Sequence, residues 1–163
     1  MHAVTAEILV RHERPDQPEV LALLAALDAY LASLYAPEDN HILSVAQLLA
    51  DDVDFVVARS DGAAVGCGAV RRMPAGADPG GQACGEIKRM FVQPDWRGQR
   101  IAEQLLAALE STLRAAGIGQ ALLETGRDQT EAVRLYRRCG YALRGPFGGY
   151  PDNGLSLFMA KAL

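Results

Sequence analysis

The chain has 163 residues, half of them apolar, and a formal net charge of −4. That length suits one domain with a core large enough to need no staples. The acidic balance, with no long run of like charge, argues against a nucleic-acid partner, which needs a basic stripe.

Cys67, Cys84 and Cys139 form no CxxC or Cys/His cluster. Neither a metal site nor a disulfide framework is expected, and free thiols in a reducing cytoplasm are. Charges come too early in "MHAVTAEILVRHER" for a signal peptide, and no apolar run approaches the roughly 20 residues that span a bilayer. The expectation is a cytoplasmic protein with no membrane partner. His2 and His12 read as surface residues. Apart from Lys88 and Lys161 the basic residues are arginines, which suit forked contacts to phosphate and carboxylate; this usage also hints at a GC-rich bacterial source.

In chain order, "AEILVRHER" (6–14) predicts a strand. Residues 15–35 predict a helix, with Pro18 in its first turn and Val20, Leu24, Leu27, Leu31 and Leu34 at helical spacing. "APEDN" interrupts it, and "ILSVAQLLA" (42–50) predicts a second, shorter helix. Residues 54–73 read as two strands joined at "SDG", a hairpin signal. Residues 74–83 form a Gly- and Pro-rich loop, and "CGEIKRMFVQP" (84–94) is a strand stopped by Pro94. Ile101, Leu105, Leu109 and Leu113, with Ala102 and Leu106, make one face of a helix closed by Gly117. "QALLET" (120–125) is a strand. Residues 128–140 are a helix with Asp128 as N-cap and Gly140 as its stop. "YALRG" and "SLFMAKAL" are closing strands around a "PFGGYPDNG" loop.

The order β-α-α-β-β-β-α-β-α-β-β places antiparallel strands ahead of a βαβ crossover. It predicts a single domain of the α/β class (α+β in some schemes), with a mixed sheet and helices on both faces.

The stretch "RGQRIA" (97–102) lies where a strand ends and a helix begins. Unpaired N–H groups and the helix dipole make such a place an anion site. Gly98 allows close backbone approach, Ala102 keeps the first turn open, and Arg97 and Arg100 add charge. In isolation an ordinary turn explains the same residues.

The run "IKRMFVQPDWRGQRIAEQLLAALE", followed by "QTEAVRLYRRCGY", resembles the GNAT superfamily of acyl-CoA-dependent N-acetyltransferases over about residues 54–162. "EIKRMFV" and "LETG" resemble segments of a group of small bacterial members. The family's cofactor motif is Arg/Gln-x-x-Gly-x-Gly/Ala; here Arg97 takes the first position, Ala102 the last, and Arg100 replaces the middle glycine. The resemblance implies a mixed, mostly antiparallel sheet and acetyl-CoA as cosubstrate, with no metal. The pyrophosphate would be held by N–H groups of Gly98, Gln99, Arg100, Ile101 and Ala102. With Arg100 in a right-handed conformation, its N–H would still be available. The pantetheine arm would run along the backbone of Met90, Phe91 and Val92, with the Val92 N–H as a candidate oxyanion donor. A simple buried strand accounts for those three side chains equally well.

Tyr136 matches the family's tyrosine that protonates the departing sulfur; its other reading is a buried core tyrosine. Glu86 matches the strand glutamate that accepts the amine's proton; its other reading is an ion pair with Lys88 or Arg89. Gln129 replaces the family's frequent asparagine. Glu124, Thr125 and Arg127 end the next strand, where ligands bind in such sheets. The segment 33–43 covers the acceptor in many family members, and offers Tyr35, Glu38, Asn40 and His41 as handles; a solvated helix–helix turn is the alternative. Phe147 and Tyr150 would form the opposite wall. The implied activity is acetyl transfer to a primary amine of a small molecule, peptide or protein, with self-association into a homodimer left open. The alternative is an acyl-CoA-binding sensor or partner module without turnover.

Overall fold

The computed structural model describes residues 6–78 and 80–163; the expectation for His2 lies outside them. The strands are β1 (Ile8–His12), β2 (Val53–Ser60), β3 (Ala63–Met73), β4 (Cys84–Val92), β5 (Gln120–Gly126), β6 (Ala142–Arg144) and β7 (Ser156–Ala162). The helices are α1 (Pro18–Leu34), the single turn α2 (Val45–Leu48), α3 (Ile101–Ala115) and α4 (Thr130–Arg138). Short 3-10 turns at Pro37–Asp39 and Pro94–Trp96 complete the chain. Apart from those turns, the elements follow the expected order.

One seven-stranded sheet runs β1-β2-β3-β4-β5-β7-β6, and every pairing is antiparallel except β4 with β5. The crossover through α3 therefore supplies the single parallel pair, as a strand–helix–strand unit must. The β2–β3 turn has positive φ at both Asp61 and Gly62, the conformation whose twist suits a two-residue hairpin.

The two faces carry separate cores. Ile101, Leu105, Leu109 and Leu113 of α3 are fully buried against one face, together with Val56, Val70, Ile87 and Met159. Their spacing of four keeps them on a single helical stripe. The opposite face is covered by α1 through Val20, Leu23, Leu24 and Leu27, with Leu43 and Leu48 from the segment that follows. Leu23 belongs to this stripe, whereas Leu34 does not: it is exposed at the last turn, where α1 has run past the residues it covers. The cap of α2 is a reciprocal pair between Ser44 and Gln47, the capping box that Ser-x-x-Gln spells. Asp128 does not cap α4; Gln129 occupies that position, and no side chain caps the helix. What seats α4 is Tyr136, the one buried residue within it.

Cys67 and Cys84 are buried and Cys139 partly so, all three as free thiols. Burial pushes the Cys67 thiol up to about 12, so it has little thiolate at neutral pH.

Two buried carboxylates tie loops and helices to the sheet. Glu110 of α3 accepts from Tyr141 Oη at 2.9 Å and Lys161 Nζ at 2.8 Å. Asp78, in the loop after β3, is 3% exposed and accepts from both Nη atoms of Arg144, at 3.2 and 2.6 Å. The Arg144 guanidinium holds the Asp78 carboxyl below its usual range. A carboxylate with a depressed folded pKa stabilises the fold above its unfolded value, and that contribution is lost as pH falls through the folded one. Asp78→Asn should cost about 2 kcal/mol at pH 7. The difference should shrink below about pH 4, where the unfolded carboxylate is already protonated. Urea unfolding of both proteins at pH 7 and pH 3 checks this; an equal difference at both values would remove the pair from the stability of the fold.

Candidate active site

The parallel pair is short. Only Gly85, Glu86 and Ile87 of β4 face Ala121, Leu122 and Leu123 of β5. Beyond them β4 continues to Val92 and β5 to Gly126, and no strand pairing joins the two. The cause lies within β4. Lys88 and Arg89 are consecutive charged residues between the apolar Ile87 and Met90, and Arg89 takes a left-handed φ of 58°. The β3–β4 register shifts here, so that Gly68 has no partner on β4. A Cβ on Gly68 would lie 2.5 Å from Met90 Sδ, so the glycine makes room for the displaced Met90. This is a β-bulge: an extra residue that bends one strand away from its neighbour.

The opening forms a crevice lined by Met90 and Ile87 on β4, by Glu124, Thr125 and Gly126 on β5, and by Tyr136 on α4. Its roof is α1 and the segment after it, through Leu27, Leu31, Tyr35, Asn40 and His41. Gln129 also lines it, so it brings together most of the candidate residues from the splayed strands, α4 and the 33–43 segment. Glu38 and Arg127 stay outside, and Arg127 donates through Nε to the Gly154 carbonyl at 3.0 Å.

Burial raises the Tyr136 hydroxyl well above the usual tyrosine value, so it keeps its proton across the neutral range. Its ring also packs edge-on against Tyr141, with centroids 5.9 Å apart. Tyr136 is thus packed in the core and also lines the crevice. Glu124 accepts from Ser156 Oγ at 2.7 Å and is the carboxylate on the β5 wall.

Glu86 lies behind the crevice, not on its lining. It is 1% exposed and accepts from Arg71 Nη2 and Lys88 Nζ, each at 3.2 Å, and from Tyr150 Oη at 2.5 Å. The ion pair with Lys88 is present, whereas Arg89 pairs with Asp28 of α1. Tyr150 is aimed at this cluster, and burial with the neighbouring Glu86 raises its hydroxyl pKa. His41 meets the Tyr150 ring edge-on at 5.0 Å, so the crevice wall rests on the cluster.

At the other end of the opening, Gly98 has φ 81° and Arg100 has φ 61°. Arg100 is thus left-handed, not right-handed as expected. It is the N-cap of α3, with no side-chain cap, and the left-handed region is where a glycine fits without strain. The first helical bond is Gln104 N to the Arg100 carbonyl, and among the described residues no N–H of residues 98–100 donates to another backbone group outside the helices and strands. Residues 97–100 are exposed, whereas Ile101 is core, so Ile101 offers only its N–H. Arg97 turns back: its Nε donates to the Val92 carbonyl at 3.0 Å and its guanidinium lies over the Phe91 ring. Phe91 and Val92 have buried side chains, and this end of β4 has no pairing with β5. A run of free N–H groups at a helix start, continuous with a strand edge that has no partner strand, fits an anionic group carried on an amide-bearing arm.

Arg100→Gly should relieve the left-handed strain, about 1 kcal/mol, and leave acetyl-CoA affinity within about tenfold. Thermal unfolding and calorimetric titration check the two halves. A larger loss of affinity would make the guanidinium an essential phosphate ligand.

Lys88 and Arg89 line the crevice and pair with Glu86 and with Asp28 of α1, and none of Asp28, Lys88 and Arg89 is among the site residues expected from the sequence. The signal for the two cations was available: adjacent charges between Ile87 and Met90 must point to opposite faces of a strand.

The model of the acetyltransferase (GNAT) family matches residues 11–141. An IAA acetyltransferase of Azospirillum brasilense is 47% identical over 156 residues, covering 96% of this chain and 98% of that protein. A solved structure from Klebsiella pneumoniae, provisionally described as an acyl-CoA N-acyltransferase, superposes with a TM-score of 0.80 at 37% identity, covering 98% of this chain and 99% of the other. The PaiA N-acetyltransferase of Thermoplasma acidophilum, solved with coenzyme A, shares the fold at a TM-score of 0.74 and 17% identity, over 96% of this chain and 99% of that one. Among the described residues no helix is long and apolar enough to cross a membrane.

Proposed function

This chain belongs to the GNAT acetyltransferase family and is an acyl-CoA-dependent acetyltransferase, and we propose that it moves an acetyl group from acetyl-CoA to a primary amine by direct attack. The observation that carries this reading is the opened β4–β5 pair, with Tyr136 at one wall and free N–H groups at its end.

Bound acetyl-CoA supplies an activated acyl group on a thiol leaving group. The chain's residues divide the remaining work. The N–H groups of residues 98–102 hold the pyrophosphate, and the free edge of Met90, Phe91 and Val92 pairs with the amides of the arm. The Val92 N–H is the donor for charge developing on the acyl oxygen. Tyr136 gives its proton to the departing sulfur. An amine must be neutral to attack, and Glu124, which lines the crevice, takes its proton directly or through water. Glu86 has three donors on its two oxygens and is out of contact with the crevice; it holds Lys88 and Tyr150, and through Tyr150 the His41 wall.

Turnover of acetyl-CoA against a panel of primary amines, and separately against IAA because of the Azospirillum relative, tests the reading. Acetylation of at least one amine at a rate well above hydrolysis is expected. Binding of acetyl-CoA with no transfer to any acceptor would leave only an acyl-CoA-binding module.

A further inference from the structure

Among the described residues, two buried side-chain polar atoms have no hydrogen-bond partner: Tyr35 Oη and Arg89 Nε. Buried polar groups are almost always paired, because an unpaired one loses its water and gains nothing. Two exceptions scattered over a fold would be unremarkable. These two belong to residues that line the same crevice.

Arg89 is the sharper case. Its side chain is 5% exposed, and the one hydrogen bond found for its guanidinium is from Nη1 to Asp28 Oδ1 at 2.5 Å. Asp28 is half exposed on α1, so water shares its carboxylate. The edge of the guanidinium formed by Nε and Nη2 remains. That edge presents two parallel N–H groups at the spacing of a carboxylate's oxygens. The backbone holds Arg89 there at a cost, since its left-handed φ of 58° is unfavourable for a residue with a Cβ.

The arm of the cosubstrate is a poor match for this edge. Its amides would pair with main chain along β4, whereas the Arg89 side chain reaches the α1 face of the sheet, where it pairs with Asp28. Lys88 is already balanced by Glu86. On the opposite wall stands Glu124, held by Ser156. The Tyr35 hydroxyl is nearby, seated where a side chain on Gly126 would collide with it. Gln129 and the Asp128 backbone lie close to that hydroxyl without hydrogen-bond geometry. Arg89, with its own unpaired Nε, and the carboxylate of Glu124, near the unpaired Tyr35 hydroxyl, thus line one crevice from its two walls.

We infer that Arg89 binds a carboxylate of the acceptor, so that the substrate class is an amine that also carries a carboxylate, as an α-amino acid does. The ammonium faces Glu124 and Tyr35 before it loses its proton. The inference rests on the acetyl-transfer reading above and specifies its acceptor.

The test compares matched acceptors on the whole protein: α-amino acids, their primary amides, and the amines that lack the carboxyl carbon. The expected kcat/KM is higher for the acid by about 100-fold, the loss typical when one partner of a desolvated charge pair is removed. In Arg89→Gln the preference of acid over amide should collapse, through KM for the acid and not kcat, while acetyl-CoA affinity by calorimetry holds. Arg89→Lys should restore part of the preference, since it keeps the charge and loses the fork. Should Arg89→Gln fail to fold, the wild-type comparison still decides. Amides and simple amines acetylated as well as acids would overturn the assignment, and so would an Arg89→Gln protein that loses acetyl-CoA instead. Acetyl-CoA binding with no amine acetylated at all is a different result: it removes the transfer reading and this subsite with it.

Discussion

Gly98→Pro should lower acetyl-CoA affinity by about 100-fold or more, equivalent to ~2.7 kcal/mol. Gly98 sits at φ 81°, and proline is locked near −65°, so residues 97–100 would have to take a different path. Proline also deletes an N–H from the group that faces the phosphates. The fold should survive, because residues 97–100 are exposed and the core begins at Ile101. Gly98→Ala separates the two causes. It retains the N–H and has open space for its methyl, so it carries only the left-handed strain of about 1–2 kcal/mol. Gly98→Asn should be milder still, since asparagine tolerates that region. Calorimetric titration of acetyl-CoA, with circular dichroism to check folding, gives the ranking Gly, Asn, Ala, Pro. A folded Gly98→Pro protein of unchanged affinity would mean that the phosphates bind elsewhere.

What the sequence revealed, and what it hid, follows from the range of each cause. The α3 stripe of Ile101, Leu105, Leu109 and Leu113 and the Asp61-Gly62 turn are local, and residues a few positions apart suffice to specify them. So are the stops at Gly117 and Gly140, both with positive φ. The opening between β4 and β5 depends instead on a bulge whose room is made by Gly68, some twenty positions earlier in the chain. The partners of Glu86 come from Arg71 and Tyr150, on β3 and in the last loop. No pattern within "CGEIKRMFV" announces them; the strand alone suggests only the ion pair with Lys88, and the proton-acceptor reading of Glu86 comes from the family resemblance. Arg100 shows the converse. Its side chain drew attention as a departure from glycine, but the informative property is its backbone angle, which is the one a glycine would supply.

Tyr136→Phe should cut turnover by about 10²-fold or more, with acetyl-CoA affinity little changed, as expected when the lost interaction exists only in the transition state. The spacing of Ala132, Leu135 and Tyr136 turns the tyrosine inward, and it is the buried residue that anchors α4. Phenylalanine preserves that anchor and the edge contact with Tyr141, so melting temperature should hold and a fall in rate reports the proton. The pH profile adds an independent check. Burial raises the hydroxyl pKa, so an acid of this kind stays loaded through the neutral range, and wild-type kcat should show no alkaline fall until well above it. In the variant the proton must come from water, and the residual rate should decline with rising pH as that supply weakens. Glu124→Gln provides the contrast: it removes the proposed acceptor of the amine's proton, and its rate should recover as alkaline pH itself deprotonates the amine. With chemistry limiting and both substrates saturating, a Tyr136→Phe protein turning over at the wild-type rate would transfer the proton-donor role to water or to another group of the crevice.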